Sequence, residues 1–195
     1  MRNGDAVRTA LDASLEVLTP HAGDHDWDRP AGPLEWSCHE TAAHIAHDLL
    51  AYAGQVAARP RDRYLRFDLT VEPEADPAQV LTVVRAAGQL LATVLDAAPP
   101  ELRAYHHGPC DPPGFAAMGV AETLLHTHDI TRGLDLAWQP PADLCAFVLD
   151  RLFPDAPGGE AAEVLLWCTG RGELEGRPRR TSWNWRAARG EWPQE

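Results

Sequence analysis

Nine histidines in 195 residues is a high count, and several stand at spacings that could do chemistry. In TAAHIAHDLL, His44 and His47 are three apart. In VAETLLHTHDI, Glu122 and His126 are four apart, and His128 follows two residues later. On a helix, residues four apart lie on nearly one face, so Glu122 and His126 can point at the same atom. One helix rarely completes a metal site, and a facing helix carrying His44 or His47 can supply the missing ligand. A Glu/His pair plus a histidine from a second helix makes an open, three-ligand site that leaves positions for water or substrate. Nitrogen and carboxylate ligands suit zinc, and also nickel, iron or manganese. The flanks are apolar: Ala42, Ala43, Ile45, Ala46, Leu49 and Leu50 around the first pair, Val120, Leu124 and Leu125 around the second. Polar groups set among core positions cost free energy unless they are paired. Two explanations therefore stand side by side: a metal centre, or a hydrogen-bonded network inside a core.

Positioning these residues takes several elements. Ala6, Val7, Ala10, Leu11, Leu15 and Leu18 recur every three or four residues and predict a helix over 5–19. Gly23, Pro30, Gly32 and Pro33 mark a loop over 20–37 that holds Trp27 and Trp36. Ser37 with Glu40 reads as a capping box for a second helix over about 38–58. The Arg-rich stretch 59–75 reads as loop, with a short extended piece at 64–71. Asp76 as N-cap and Pro77 in the first turn open a third helix, which Pro99–Pro100 ends. A loop over 99–114, with His106, His107 and Cys110, is placed at a pocket mouth. A fourth helix is expected over about 115–132 with Gly133 as its C′ residue. A fifth should follow Pro140–Pro141 to about 153, and a sixth should cover 159–169. The alternation in TSWNW, 181–185, suggests a short strand or hairpin. Long helices with little strand signal predict an all-α protein: an antiparallel four-helix bundle over 1–135, with an extension over 136–195 packed on it.

Net charge is −12, and all 17 basic residues are arginine. With no basic stripe, this argues against nucleic-acid partners and anionic membrane surfaces. No apolar run approaches the roughly 20 residues of a bilayer span, and the N-terminal stretch carries acids where a signal peptide would be apolar. A cytoplasmic location is expected. Cys38, Cys110, Cys145 and Cys168 are far apart and contain no CxxC pair, so they read as buried small apolar groups. Arg171, Arg179 and Arg180 are candidates for anchoring an anionic group, against the plainer reading as solvated arginines. Trp27 and Trp36 read chiefly as packing anchors, with a share in a substrate pocket as the alternative.

Two stretches carry a family resemblance. In LEWSCHETAAHIAHDLLAY, Trp36 precedes His44 by eight residues; in AETLLHTHDITRGL, Glu122, His126 and Asp129 fall in an E-x-x-x-H-[TS]-x-D pattern. A weaker third match is LLWCTGRGEL followed by TSWNW. The sequence resembles the DinB-like superfamily and, within it, the mycothiol-dependent maleylpyruvate isomerase N-terminal family. The resemblance implies a four-helix bundle with a divalent metal between helices, zinc first and nickel second. It makes His44, Glu122 and His126 the metal ligands, and it implies mycothiol as thiol cosubstrate. His128 and His47 are then candidates for acid–base work, Trp36 and Arg171 for contact with substrate, and Asp129 for orienting a ligand histidine or pairing with an arginine. Isomerases of this name carry a larger C-terminal α/β domain, whereas about 60 residues follow the fourth helix here.

The expected function is therefore thiol transfer or isomerisation, with the metal favouring the thiolate for attack on a small electrophile. Partners are a small-molecule thiol and electrophile, with no nucleic acid and no membrane, in a monomer or homodimer. Two other classes compete: a metal-dependent hydrolase on the same ligands, and a non-catalytic metal-binding bundle. Thiol dependence separates the first, and an occluded site separates the second.

Overall fold

The computed structural model describes residues 2–193. The helix-start signals are in place. Ser37 accepts from the Glu40 amide while Glu40 accepts from the Ser37 amide, and α2 runs Cys38–Ala58. Asp76 and Gln79 repeat the reciprocal pair at the start of α3, Pro77–Ala97. Before them, α1 spans Asn3–Leu18 and continues into one 3-10 turn, Thr19–His21. Helix α4 spans Pro112–Gly133, three residues earlier than the sequence suggests. Asp111 caps it through the Gly114 amide, and Pro112 fits a first turn whose amides have no helical partner. Gly133 stays inside the helix, and Leu134 takes the cap. Helices α5, Ala142–Leu152, and α6, Ala161–Cys168, complete the set.

In the bundle, α3 and α4 each pack against both α1 and α2, so the order around it is α1, α3, α2, α4. Close approach depends on missing side chains. A Cβ at Gly88 on α3 would stand 2.3 Å from Leu11 Cδ1, and one at Gly119 on α4 would stand 2.6 Å from Leu91 Cδ2. The other side of α4 is covered by α5, which carries α6. Covered on both sides, α4 is buried along nearly its whole length, and this carries Glu122 and His126 into the interior. The fold is the all-α bundle the sequence predicts. By length and hydropathy alone, α3 could cross a bilayer. Here its apolar stripe, including Val80, Val84, Leu91 and Leu95, is buried.

Three local expectations are corrected. Residues 64–71 form no strand: the Gln55 side chain accepts from the Leu65 amide and donates to the Tyr105 carbonyl, so a side chain holds this loop instead of a ladder. The 99–114 stretch contains a small antiparallel hairpin, β1 Ala104–Tyr105 with β2 Pro109–Cys110. Its tight turn needs positive φ at His107 and Gly108. The TSWNW stretch is irregular. Its neighbours are held from outside: the Arg186 amide donates to the Leu152 carbonyl and the Arg189 amide to the Pro109 carbonyl. Arg151 straps this segment down, donating to Asp111 Oδ1 at 2.6 Å and to the Ala187 carbonyl at 2.7 Å.

Candidate metal centre

Glu122 and His126 are one turn apart on α4, with Glu122 Oε2 and His126 Nε2 3.2 Å from each other. His44 approaches from α2. One ligand atom from each of His44, Glu122 and His126 lies within 4.8 Å of the other two, and the His44 and His126 rings meet edge to face at 5.0 Å. A tetrahedral ion with bonds near 2.0–2.1 Å holds its ligand atoms roughly 3.3 Å apart. The Glu122–His126 pair already has that separation. Two imidazoles and a carboxylate are a donor set for zinc or another borderline divalent ion.

The structure brings His44, not His47, to Glu122 and His126. His47 faces two carboxylates: Nδ1 lies 2.9 Å from Asp48 Oδ1, and Nε2 3.0 Å from the exposed Asp68. Asp48 is shared, because its Oδ2 lies 3.2 Å from His44 Nε2. Burial raises the Asp48 pKa, yet hydrogen bonding and charge from His44 and His47 outweigh it and hold the carboxyl below its ordinary value. Neither Asp48, one turn beyond His44, nor Tyr52, two turns beyond, was singled out from the sequence. The Tyr52 hydroxyl donates to Glu122 Oε1 at 3.1 Å. Burial, and then the charges of Glu122 and Asp48, push Tyr52 far up, so it remains a donor. It engages Oε1 and leaves Oε2 facing His126.

Behind the site, Asp129 is fully buried, pairs with Arg171 and stands beside His126. Arg171 forks onto both its oxygens, with Nη2 at 2.7 Å, and His126 Nδ1 lies 3.3 Å from Oδ2. That approach is near enough for charge attraction but lacks hydrogen-bond alignment, so Nδ1 is a buried nitrogen without a hydrogen bond among the described residues. Burial pulls His126 down; Asp129 and Glu122 pull harder, and its pKa is pushed up to about 9. A metal there must displace a proton from this ring.

The other residues singled out lie around this centre. The Trp36 ring lies tilted against His44 with ring centres 4.7 Å apart, yet it is 45% exposed and is a rim residue, not the packing anchor expected. Trp27 is the buried one, with Nε1 on the His21 carbonyl. His128 lines a separate cavity of about 430 Å³ with Arg132, Arg171 and Arg179. Arg179 donates to the Gly170 carbonyl, and Arg180 lies over Trp167. All four cysteines are free and buried. Burial pushes Cys38 up to about 11 and Cys110 and Cys145 up to about 12, which leaves no activated thiolate among them.

Comparison with curated proteins and with solved structures returns no match. The family model described as the mycothiol maleylpyruvate isomerase N-terminal domain matches residues 5–131. That span runs from the first turns of α1 to the end of α4 and holds all three residues of the centre. With the helical bundle and the His–Glu–His convergence, it settles the family: this chain belongs to the mycothiol maleylpyruvate isomerase N-terminal domain family.

Proposed function

We propose that this chain is a divalent-metal-dependent enzyme that joins a low-molecular-weight thiol, mycothiol, to a small electrophile. The observation that carries this is the facing pair Glu122 Oε2 and His126 Nε2, 3.2 Å apart, with His44 converging from the adjacent helix α2. A divalent cation held by His44, Glu122 and His126, zinc first and nickel second, supplies positive charge that favours a thiol's ionised form at neutral pH. The chain's own residues do the rest. Tyr52 fixes the Glu122 carboxylate, Asp48 pairs with His44, Asp129 attracts His126 by charge, and Trp36 walls the rim beside His44. His47 is better placed than His128 for acid–base work, because it shares Asp48 with His44 and its Nε2 can pass the thiol proton outward toward Asp68. The thiol sulfur forms a bond to the electrophilic carbon. In an epoxide the C–O bond opens and its oxygen takes up a proton. In an isomerisation the sulfur adds to one alkene carbon and the broken π bond leaves its electron pair on the neighbouring, carbonyl-conjugated carbon; the adduct turns about the resulting C–C single bond, and the double bond re-forms as the thiolate leaves. Arg171 is committed to Asp129 and reaches an anionic substrate group only by sharing that partner.

The test is metal content by mass spectrometry on wild type and His126→Ala, with mycothiol conjugation to an epoxide and an activated alkene. About one equivalent of zinc or nickel, lost in the variant, and thiol-dependent product are expected. A metal-free wild type after reconstitution overturns the reading, and product formed without thiol replaces it with hydrolysis.

A further inference from the structure

Outside the triad, three side chains from distant parts of the chain form a directed hydrogen-bond relay. Trp185 Nε1 donates to His106 Nε2 at 3.4 Å. An indole nitrogen only donates, so Nε2 is the accepting, unprotonated nitrogen. Burial, and then the neighbouring His107, push His106 down to about 4, so the ring is neutral near pH 7 and its single proton sits on Nδ1. His106 Nδ1 in turn is hydrogen-bonded to the Tyr64 hydroxyl. With the proton on Nδ1, the Tyr64 oxygen is the acceptor. Its own hydrogen remains to be given, and no described residue takes it.

Tyr64 lines a cavity of about 270 Å³ with Asp48, Tyr52, Gln55 and Phe67. The other donors on that wall are committed: Tyr52 to Glu122, Gln55 to the Tyr105 carbonyl, and His47 to its two aspartates. Through Tyr52 the cavity borders the triad. Asp48 on its wall, with Asp68 beside His47, disfavours an anion next to Tyr64. A chain of donors pointing one way strengthens its last member.

We propose that this cavity is the subsite for the oxygen of an uncharged electrophile, a carbonyl or an epoxide, which accepts from the Tyr64 hydroxyl. Trp185 and His106 set the direction of that donor and are positioning residues. The proposal rests on the thiol-transfer reading for the electrophile's identity, and its test does not need turnover.

Two readouts on the zinc-loaded protein decide it. Nitrogen-15 NMR of the histidine rings should find His106 protonated on Nδ1; an Nε2–H ring overturns the relay. Calorimetric titration with succinimide, an uncharged dicarbonyl without an alkene, should show binding that weakens about fivefold in Tyr64→Phe and less in Trp185→Phe, with zinc affinity unchanged. Equal affinity in wild type and Tyr64→Phe, or no binding to wild type, overturns the subsite. If these readouts hold while mycothiol conjugation is silent, thiol transfer falls and the oxygen-acceptor site stands. The reverse pattern removes the subsite and leaves the transfer reading intact.

Discussion

His126 and His106 are buried to the same degree, 8% and 9% exposed, and the fold drives them in opposite directions. His126 stands among carboxylates and is pushed up to about 9. His106 has a tyrosine hydroxyl and an indole as its polar partners and is pushed down to about 4. Burial lowers both, so the partners decide the sign. One environment collects negative charge that a cation can answer. The other keeps a neutral ring that hands a hydrogen bond from one group to the next. A count of nine histidines cannot separate these roles, because the difference lies in what each ring meets.

The largest effect that can break this contrast is loss of the metal. His126→Ala should lower metal stoichiometry at least about tenfold, because two protein ligands rarely hold what three do. His106→Gln should leave it unchanged. Equal loss in both variants, measured by mass spectrometry after gel filtration, would mean that the two clusters are one site.

The second effect is the pH dependence of stability in the metal-free protein. His126 has a folded pKa above its unfolded value of 6.5, so its contribution is complete below 6.5 and is lost as pH rises through about 9. His106 has a folded pKa below 6.5, so its contribution is present above 6.5 and is lost as pH falls through about 4. Each limb is worth about 3 kcal/mol at most. Urea unfolding from pH 4 to 9 should therefore peak near pH 6.5. His126→Gln should flatten the alkaline limb and His106→Gln the acid limb. A variant that flattens the wrong limb contradicts the assignment.

Smaller again is the effect of the residues that aim the ligands. Tyr52→Phe removes the hydroxyl on Glu122 Oε1 and nothing else, and it should weaken zinc affinity about 10- to 100-fold without abolishing binding. A change under twofold, measured by chelator competition, would make Tyr52 a packing residue only.

How far the sequence carried depended on whether partners were local. Caps are local: Ser37 with Glu40 and Asp76 with Gln79 lie three residues apart and were read directly. Glu122 with His126 is one turn and was read the same way. His44 against His47 was not decidable from spacing, since both lie on α2 within a turn. The choice is made by how α2 faces α4, and in the sequence only the family resemblance pointed to His44. Tyr52 is eight residues from His44 and seventy from Glu122, so its role existed only once two helices met. The relay of Tyr64, His106 and Trp185 joins three irregular segments with no periodicity to read. The hairpin at 104–110 was missed because its turn depends on a positive φ at His107, a residue type that does not advertise one. The strand expected in TSWNW failed because alternation is a weak signal when the neighbouring amides pair with the chain at Leu152 and Pro109.

The smallest predicted effect sharpens the comparison by leaving both clusters untouched. Ser37→Ala removes the side-chain acceptor of the Glu40 amide at the first turn of α2. A lost N-cap costs about 1 kcal/mol, so the urea midpoint should fall without a change in its slope. His44 lies two turns further along the helix, at a position fixed by α2 packing on α3 and α4 and not by the cap. Zinc stoichiometry should hold at one, and His106 should keep its Nδ1 proton. If this remote loss of stability reduced zinc loading as much as Tyr52→Phe does, the triad would be an accident of overall order, and the distinction between residues that aim the ligands and residues that hold the fold would have to be given up.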